Sequence, residues 1–323
     1  MRTVLITGIG GYVASLVAGA LASQPNLAVI GVAPELPPQP LDGVRLQQCD
    51  MSASSLLQLL EASAVDVVVH LDGVEPRAHR DDRRGYLFRT VELLGACAQA
   101  GVRRVVLRSS TLVYGARPDA PLFIDERAPV VPPERAGAVL DYAEVERVAA
   151  EFAARHPALS VAPIRCAGIV GEGSPLERYL RRRPAPVMLG FDPRIQVLHA
   201  QDAALAFALA ALADGLDRPV NVAASPPLPL SRAILLAGGR PLPLPPGLIA
   251  AAELRRDGQL HGVSALLSTV TAPVDRLLDD LPFNSAFLRY GCVADTRRAA
   301  ELLGWEPQHS AEETLGALAA AGA

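Results

Sequence analysis

Apolar positions in this chain fall in short continuous runs set off by glycine and proline, with longer stripes at helical spacing between them. Residues 3–34 carry no charge, and within them the pattern divides into four parts. It predicts a strand over 3–6, a glycine loop over 7–11, a helix over 12–23 and a second strand over 28–32, with Gln24-Pro25-Asn26 as the turn before that strand. Both strands are apolar on both faces, as in a parallel sheet covered by helices on each side. A membrane span or signal segment would need an unbroken apolar stretch, or a short apolar core before a cleavage site; Gly8, Gly10 and Gly11 interrupt the run too early. Val67-Val68-Val69-His70-Leu71 repeats the buried-strand pattern, and residues 85–100 and 139–155 carry apolar stripes at helical spacing. This alternation predicts an α/β fold: a Rossmann-type doubly wound parallel sheet with a smaller C-terminal substrate lobe. Residues 1–170 are expected to form the dinucleotide-binding domain, with 197–222 returning to it. Residues 171–196 and 223–290 would make the lobe, and 291–323 a C-terminal helical segment. Proline-rich stretches at 226–229 and 241–246 are read as the connections of the lobe.

The loop Thr7-Gly8-Ile9-Gly10-Gly11-Tyr12-Val13-Ala14 follows a predicted strand and opens a predicted helix, the context in which such glycines have a mechanism. They let the chain turn tightly and approach a pyrophosphate, which then sits at the positive end of the helix. Ala14 is small enough to keep that helix close to the strand. A chain of 323 residues, half of them hydrophobic, can bury one core with an attached lobe. A net charge of −4 argues against general nucleic-acid binding. Cys49, Cys97, Cys166 and Cys292 have no paired spacing for zinc or a disulfide framework, and no metal is expected. The setting implied is reducing cytoplasm. All 30 basic residues counted as Lys or Arg are arginine, which points to a GC-rich bacterial genome rather than to a function.

Taken together, these motifs resemble the extended short-chain dehydrogenase/reductases, the group of nucleotide-sugar epimerases and dehydratases, and the resemblance runs almost end to end. Besides the glycine loop it rests on Cys49-Asp50-Met51, Ser109-Ser110-Thr111-Leu112-Val113-Tyr114-Gly115, Glu126-x-x-Pro129-x-x-Pro132 and Val197-Leu198-His199-Ala200-Gln201-Asp202. Asn221-Val222 and the ending Leu302-Leu303-Gly304-Trp305-Glu306-Pro307 add to it. It is similar above all to a bacterial subgroup related to UDP-glucose 4-epimerases in which the active-site set is often incomplete. The resemblance implies that Thr7, Gly8, Gly10, Gly11, Tyr12, Val13, Asp50, Met51 and Leu71 hold the cofactor. It also implies a nucleotide-sugar or related carbonyl or hydroxyl compound as substrate, no nucleic-acid or membrane partner, and a homodimer formed through the helices at 85–100 and 139–155.

In that family a Ser, a Tyr and a Lys act together, with an Asn upstream. Ser110 and Tyr142 stand at the first two positions; Glu146 replaces the Lys and Tyr86 the Asn. A free tyrosine titrates near ~10, so making it basic at neutral pH requires roughly 4 kcal/mol, which a neighbouring cation helps to supply. An ionised Glu146, one helical turn from Tyr142, would oppose a phenolate. Three readings stay open. Glu146 is a solvated helix glutamate; or Arg147 or another arginine reaches the ribose; or a buried Glu146, or Asp72, works as a general acid or base. Asp72 would equally cap a turn with Gly73. The second strand ends in Ala33-Pro34, where NAD enzymes place an acidic residue, and Glu35 is misplaced by the alignment. No arginine waits there for a 2′-phosphate, so the order is NAD, then NADP, then no cofactor. Arg178, Arg181, Arg182 and Arg183 form a basic cluster suited to a diphosphate, or a solvated face. The segment from Arg77 to Arg84 reads as an exposed loop, and His70 and His199 as structural. The leading function is an NAD(P)-dependent epimerase, dehydratase or reductase. Alternatives are a non-redox lyase or isomerase using Asp72 or Glu146, and a silent nucleotide-binding scaffold.

Overall fold

The computed structural model describes residues 1–72, 80–131, 138–171, 173–256, 265–278 and 281–320. Gly73, Arg77 and Pro132, named in the sequence reading, lie outside them. The first half alternates as the apolar runs require: β1 (Arg2–Thr7), α1 (Tyr12–Ala22), β2 (Leu27–Ala33), β3 (Val44–Gln48), α2 (Ala53–Ala62), β4 (Val67–His70), α3 (Arg80–Gln99), β5 (Arg104–Ser110), α4 (Ala138–Arg155) and β6 (Ser160–Cys166). The chain then leaves the sheet through β7 (Gly168–Val170), α5 (Pro175–Leu180), β8 (Ala185–Met188), β9 (Arg194–Ile195), β10 (Val197–His199) and α6 (Ala200–Leu212). It returns with β11 (Val220–Val222), and the remainder comprises β12 (Leu228–Pro229), α7 (Leu230–Leu236), β13 (Pro241–Leu244), α8 (Pro246–Arg256), α9 (Ala265–Leu278), α10 (Arg297–Leu303) and α11 (Ala311–Ala320).

Seven of these strands form one parallel sheet in the order β11-β6-β5-β4-β1-β2-β3. The chain reverses direction between β1 and β4, and the crevice at that reversal is where doubly wound folds bind ligands. Alternate strand residues supply the two faces. Val4, Ile6, Val67, Val69 and Val106 pack against Ala14, Val17, Ala18 and Leu21 of α1 and against α6. Leu5, Val68, Val105 and Leu107 pack against α2, α3 and α4. A separate core around Tyr179, Leu180, Val187, Ile234 and Leu244 holds the smaller lobe.

Two expectations are corrected. The charged segment read as loop from Arg77 to Arg84 is helical from Arg80 onward, because α3 starts there. Pro241-Leu242-Pro243-Leu244 is a strand rather than a connection. It pairs in parallel with β8 in a two-stranded sheet, where a strand edge tolerates the missing N–H of proline. Among the described residues, no helix is long and apolar enough to cross a membrane.

Candidate functional site

At the carboxyl ends of the sheet lies a cleft of about 640 Å³, closed on its far side by the smaller lobe. Gly8, Gly10, Gly11, Tyr12 and Val13 line it from the loop after β1, and Leu71 and Asp72 from the end of β4. Ser110 lines it from β5, Tyr142 from α4, and Arg178, Arg194, Phe283 and Tyr290 from the lobe side. Gly8 adopts φ +68°, and a Cβ there would stand 2.8 Å from the Asp72 amide nitrogen, so only glycine lets the loop cross the end of β4. Gly11 caps α1 in extended conformation, and no side chain bonds the first N–H groups of that helix. These donors, at the positive end of an apolar helix, suit a phosphate.

The remaining residues expected to hold a cofactor lie elsewhere. Thr7 is buried; its Oγ1 contacts His70 Nδ1 at 2.7 Å and accepts from the Leu71 amide at 3.2 Å, tying β1 to the end of β4. Asp50 Oδ1 accepts from the Ser52 amide and hydroxyl at the start of α2, and Met51 is buried in the core behind β2. None of these three lines the cleft.

Ser110 ends β5, and its Oγ accepts from the Leu112 amide at 3.2 Å. Tyr142 meets Tyr86 edge-on, with ring centroids 6.2 Å apart. Tyr86, at the expected Asn position, is fully buried and stacks on His70, and its hydroxyl has no hydrogen-bond partner among the described residues. Burial pushes the Tyr86 phenol far up and holds His70 down to about 4. His70 is structural as expected, lying between Thr7 and Thr90, and His199 caps α6 and stacks on His309. Asp72 takes Arg89 as partner at 3.3 Å.

Glu146 is where sequence and structure part. It is 5% exposed, not a solvated helix glutamate. The Arg165 guanidinium, from β6, grips both carboxylate oxygens (2.5 Å from Nη2, 3.0 and 3.1 Å from Nε), and Ser109 donates its hydroxyl to the same group. The remaining Arg165 nitrogen donates to Tyr114 Oη at 2.8 Å, and Tyr114 donates to Asn221 Oδ1 at 2.7 Å. Asn221 donates in turn to the carbonyls of Ile124 and Asp295. One buried polar chain therefore ties α4, β5, β6 and β11 together behind the cleft. Arg147 does not reach the cleft either: it pairs with Glu151 on the surface.

The sequence assigned no role to Arg165, which only opened a family-like strand segment, nor to Arg108 or Arg194. A signal existed for the first, a charge in the otherwise apolar strand Ser-Val-Ala-Pro-Ile-Arg-Cys. A charge in such a place requires a partner. For Arg108 the signal was parity: two residues before Ser110 on a strand, it shares the face of the serine.

Residues 4–223 match the profile of the NAD dependent epimerase/dehydratase family. An uncharacterised protein of Mycobacterium tuberculosis is 31% identical over 97% of this chain and 82% of its own length. A UDP-glucose 4-epimerase of Azospirillum brasilense is 30% identical over 60% of this chain and 59% of that protein. Among solved structures, the UDP-glucose 4-epimerase of Thermus thermophilus in complex with NAD superposes with a TM-score of 0.71 at 17% identity, covering 99% of this chain and 98% of that one. The enzyme of the same name from Thermotoga maritima, with UDP-glucose, gives 0.69 at 18% identity over 99% and 98%.

Proposed function

The chain belongs to the NAD-dependent epimerase/dehydratase family, and on that premise we propose that it binds NAD at the glycine loop and acts on a hydroxyl or carbonyl of a nucleotide-sugar. One observation carries the reading: the loop, Ser110, Tyr142, Arg178 and Arg194 line a single cleft. The loop fits a dinucleotide at its pyrophosphate. A Cβ on Gly10 would meet only the Glu35 carbonyl, at 3.7 Å, so the space over this residue is a cradle open to a ligand. The fit is poorer at the adenosine ribose, where Ala33 and Pro34 line the cleft in place of a carboxylate.

When bound, NAD would supply the hydride acceptor. The amides following Gly10 and Gly11 would hold its phosphates. Ser110 Oγ already accepts from Leu112, which leaves its own proton to donate to the reacting oxygen. Tyr142 would move the proton at that oxygen, and Arg178 and Arg194 would hold the diphosphate of the substrate. Glu146 takes no part in proton transfer in this reading; it lies outside the cleft lining and is satisfied by Arg165 and Ser109. A second reading, a non-redox lyase or isomerase, rests on Asp72, the one carboxylate among the described residues that lines the cleft. The proposal extends to pairing of two copies through α3 and α4. Phe88 and Val91, three residues apart on α3, are 63% and 38% exposed.

The first test is calorimetry of ligand-stripped protein with NAD, NADH, NADP and NADPH. Binding of NAD supports the reading, and failure of all four overturns it. With a turned-over substrate in hand, Tyr142→Phe should lower kcat about a hundredfold or more while NAD still binds. Loss of turnover in Asp72→Asn with Tyr142→Phe unaffected would instead select the second reading.

A further inference from the structure

A doubly wound fold holds a dinucleotide by its pyrophosphate at the glycine loop and reads its adenosine ribose at the end of the second strand. A carboxylate there accepts from the ribose hydroxyls and repels a 2′-phosphate, whereas an arginine welcomes the phosphate. In this chain β2 ends at Ala33, Pro34 follows, and both line the cleft. Ala33 brings no polar side chain. Pro34 brings none either, and it lacks the backbone N–H that could hold a phosphate.

The surroundings of this edge are neutral as well. β3 runs beside β2 in a register that sets Gln47 against Val32 and Gln48 against Ala33. Gln48 Nε2 donates to the Pro34 carbonyl at 2.8 Å, and the Cys49 amide donates to the Ala33 carbonyl at 3.0 Å, so the strand end is held in place. The charged residues of this stretch are engaged or aimed elsewhere. Asp50, past the end of β3, accepts from the Ser52 amide and hydroxyl at 3.0 and 2.9 Å and does not line the cleft. Arg45 stands opposite Ile30, below the strand end, and donates to Ser63 at 2.6 Å. Glu35 puts its carbonyl over Gly10, while its exposed side chain is not part of the cleft lining.

We propose that the Ala33-Pro34 edge makes the cofactor site indifferent to the 2′ position, so that it takes NAD and NADP about equally. This rests on the reading that the glycine loop binds a dinucleotide, and adds which dinucleotides it accepts. Among the described residues at this edge, the ribose hydroxyls find no carboxylate to accept from them. A 2′-phosphate finds neither a cation to attract it nor a carboxylate to repel it, and stays hydrated beside the exposed Pro34. Affinity then comes from the pyrophosphate and nicotinamide portions, which both cofactors share. The test is calorimetric binding of NAD and NADP to ligand-stripped protein, for the unaltered chain, Pro34→Asp and Glu35→Gln. The two dissociation constants of the unaltered chain are expected to lie within about tenfold of each other. Pro34→Asp should move their ratio toward NAD by roughly ten- to a hundredfold, since its carboxylate favours the hydroxyls and repels the phosphate. Glu35→Gln should leave the ratio where it was. Binding of neither cofactor to the unaltered chain would overturn the dinucleotide reading and this inference with it. A preference beyond about tenfold in the unaltered chain would overturn the inference alone. So would a ratio that Glu35→Gln shifts about tenfold, or one that Pro34→Asp leaves unmoved. If Pro34→Asp does not fold, the ratio in the unaltered chain and in Glu35→Gln decides.

Discussion

Replacing Arg165 by methionine would leave Glu146 as a buried carboxylate with only Ser109 for company. The pair is almost dry, with side-chain exposures of 4% and 5%, so solvent cannot take over the role of the guanidinium. Removing one member of a buried pair costs about 3–5 kcal/mol, mostly the penalty of the orphaned charge rather than the worth of the attraction. At roughly 2.1 cal/mol/K per residue, a chain of 323 residues unfolds with an entropy of about 0.7 kcal/mol/K. The expected fall in Tm is therefore about 4–7 °C. Glu146→Leu combined with Arg165→Met removes both charges and should recover most of the loss, because apolar replacement of a buried pair is often neutral or better. Melting curves at pH 5 and pH 8 for both single variants and the double variant measure this coupling. An Arg165→Met protein melting within about 1 °C of the unaltered chain at pH 8 would refute the reasoning, as would additive losses in the double variant.

Gly10→Ala should leave stability within about 1 kcal/mol, since its methyl group meets only the Glu35 carbonyl at 3.7 Å, yet weaken NAD binding about tenfold or more by filling the cradle. Gly8→Ala should instead cost about 1–3 kcal/mol of stability, because it forces a positive φ and a contact with the Asp72 backbone; chemical denaturation and calorimetry distinguish the two. His70 is held near 4 in the folded protein, so between about 6.5 and 4 the unfolded chain binds a proton that the folded one refuses. Stability should fall by up to roughly 3 kcal/mol as pH drops through that window, and His70→Gln should flatten this part of the profile. If two copies pair through α3 and α4, Phe88→Glu should shift the sedimentation coefficient from dimer to monomer without changing the circular dichroism spectrum.

The first strand, its glycine loop and the helix after it were legible in the sequence to within a residue at most boundaries. So were the helices carrying Leu93 and Leu94 and carrying Val145 and Ala149. These features are set locally. A backbone repeating every 2 or 3.6 residues writes its buried face into its own segment, and glycines mark where the chain must turn. Tyr142 and Glu146 likewise share a helix face whatever surrounds them. What that face meets was decided by the tertiary structure. Whether Glu146 is solvated or buried stayed open in the sequence, because its partner, Arg165, lies 19 positions away on β6. Arg165 reaches Glu146 only because β6 pairs with β5 in the register that sets Ser109 beside Arg165 and Ser110 beside Cys166. In that register the Ser109 hydroxyl reaches Glu146 on α4, at the border of the cleft that Arg108 and Ser110 also line. Shifting the register by one residue would break that arrangement. Charges are thus legible in the sequence as residues, but whether each is solvated, paired or aimed at a ligand depends on which distant segment folds against it.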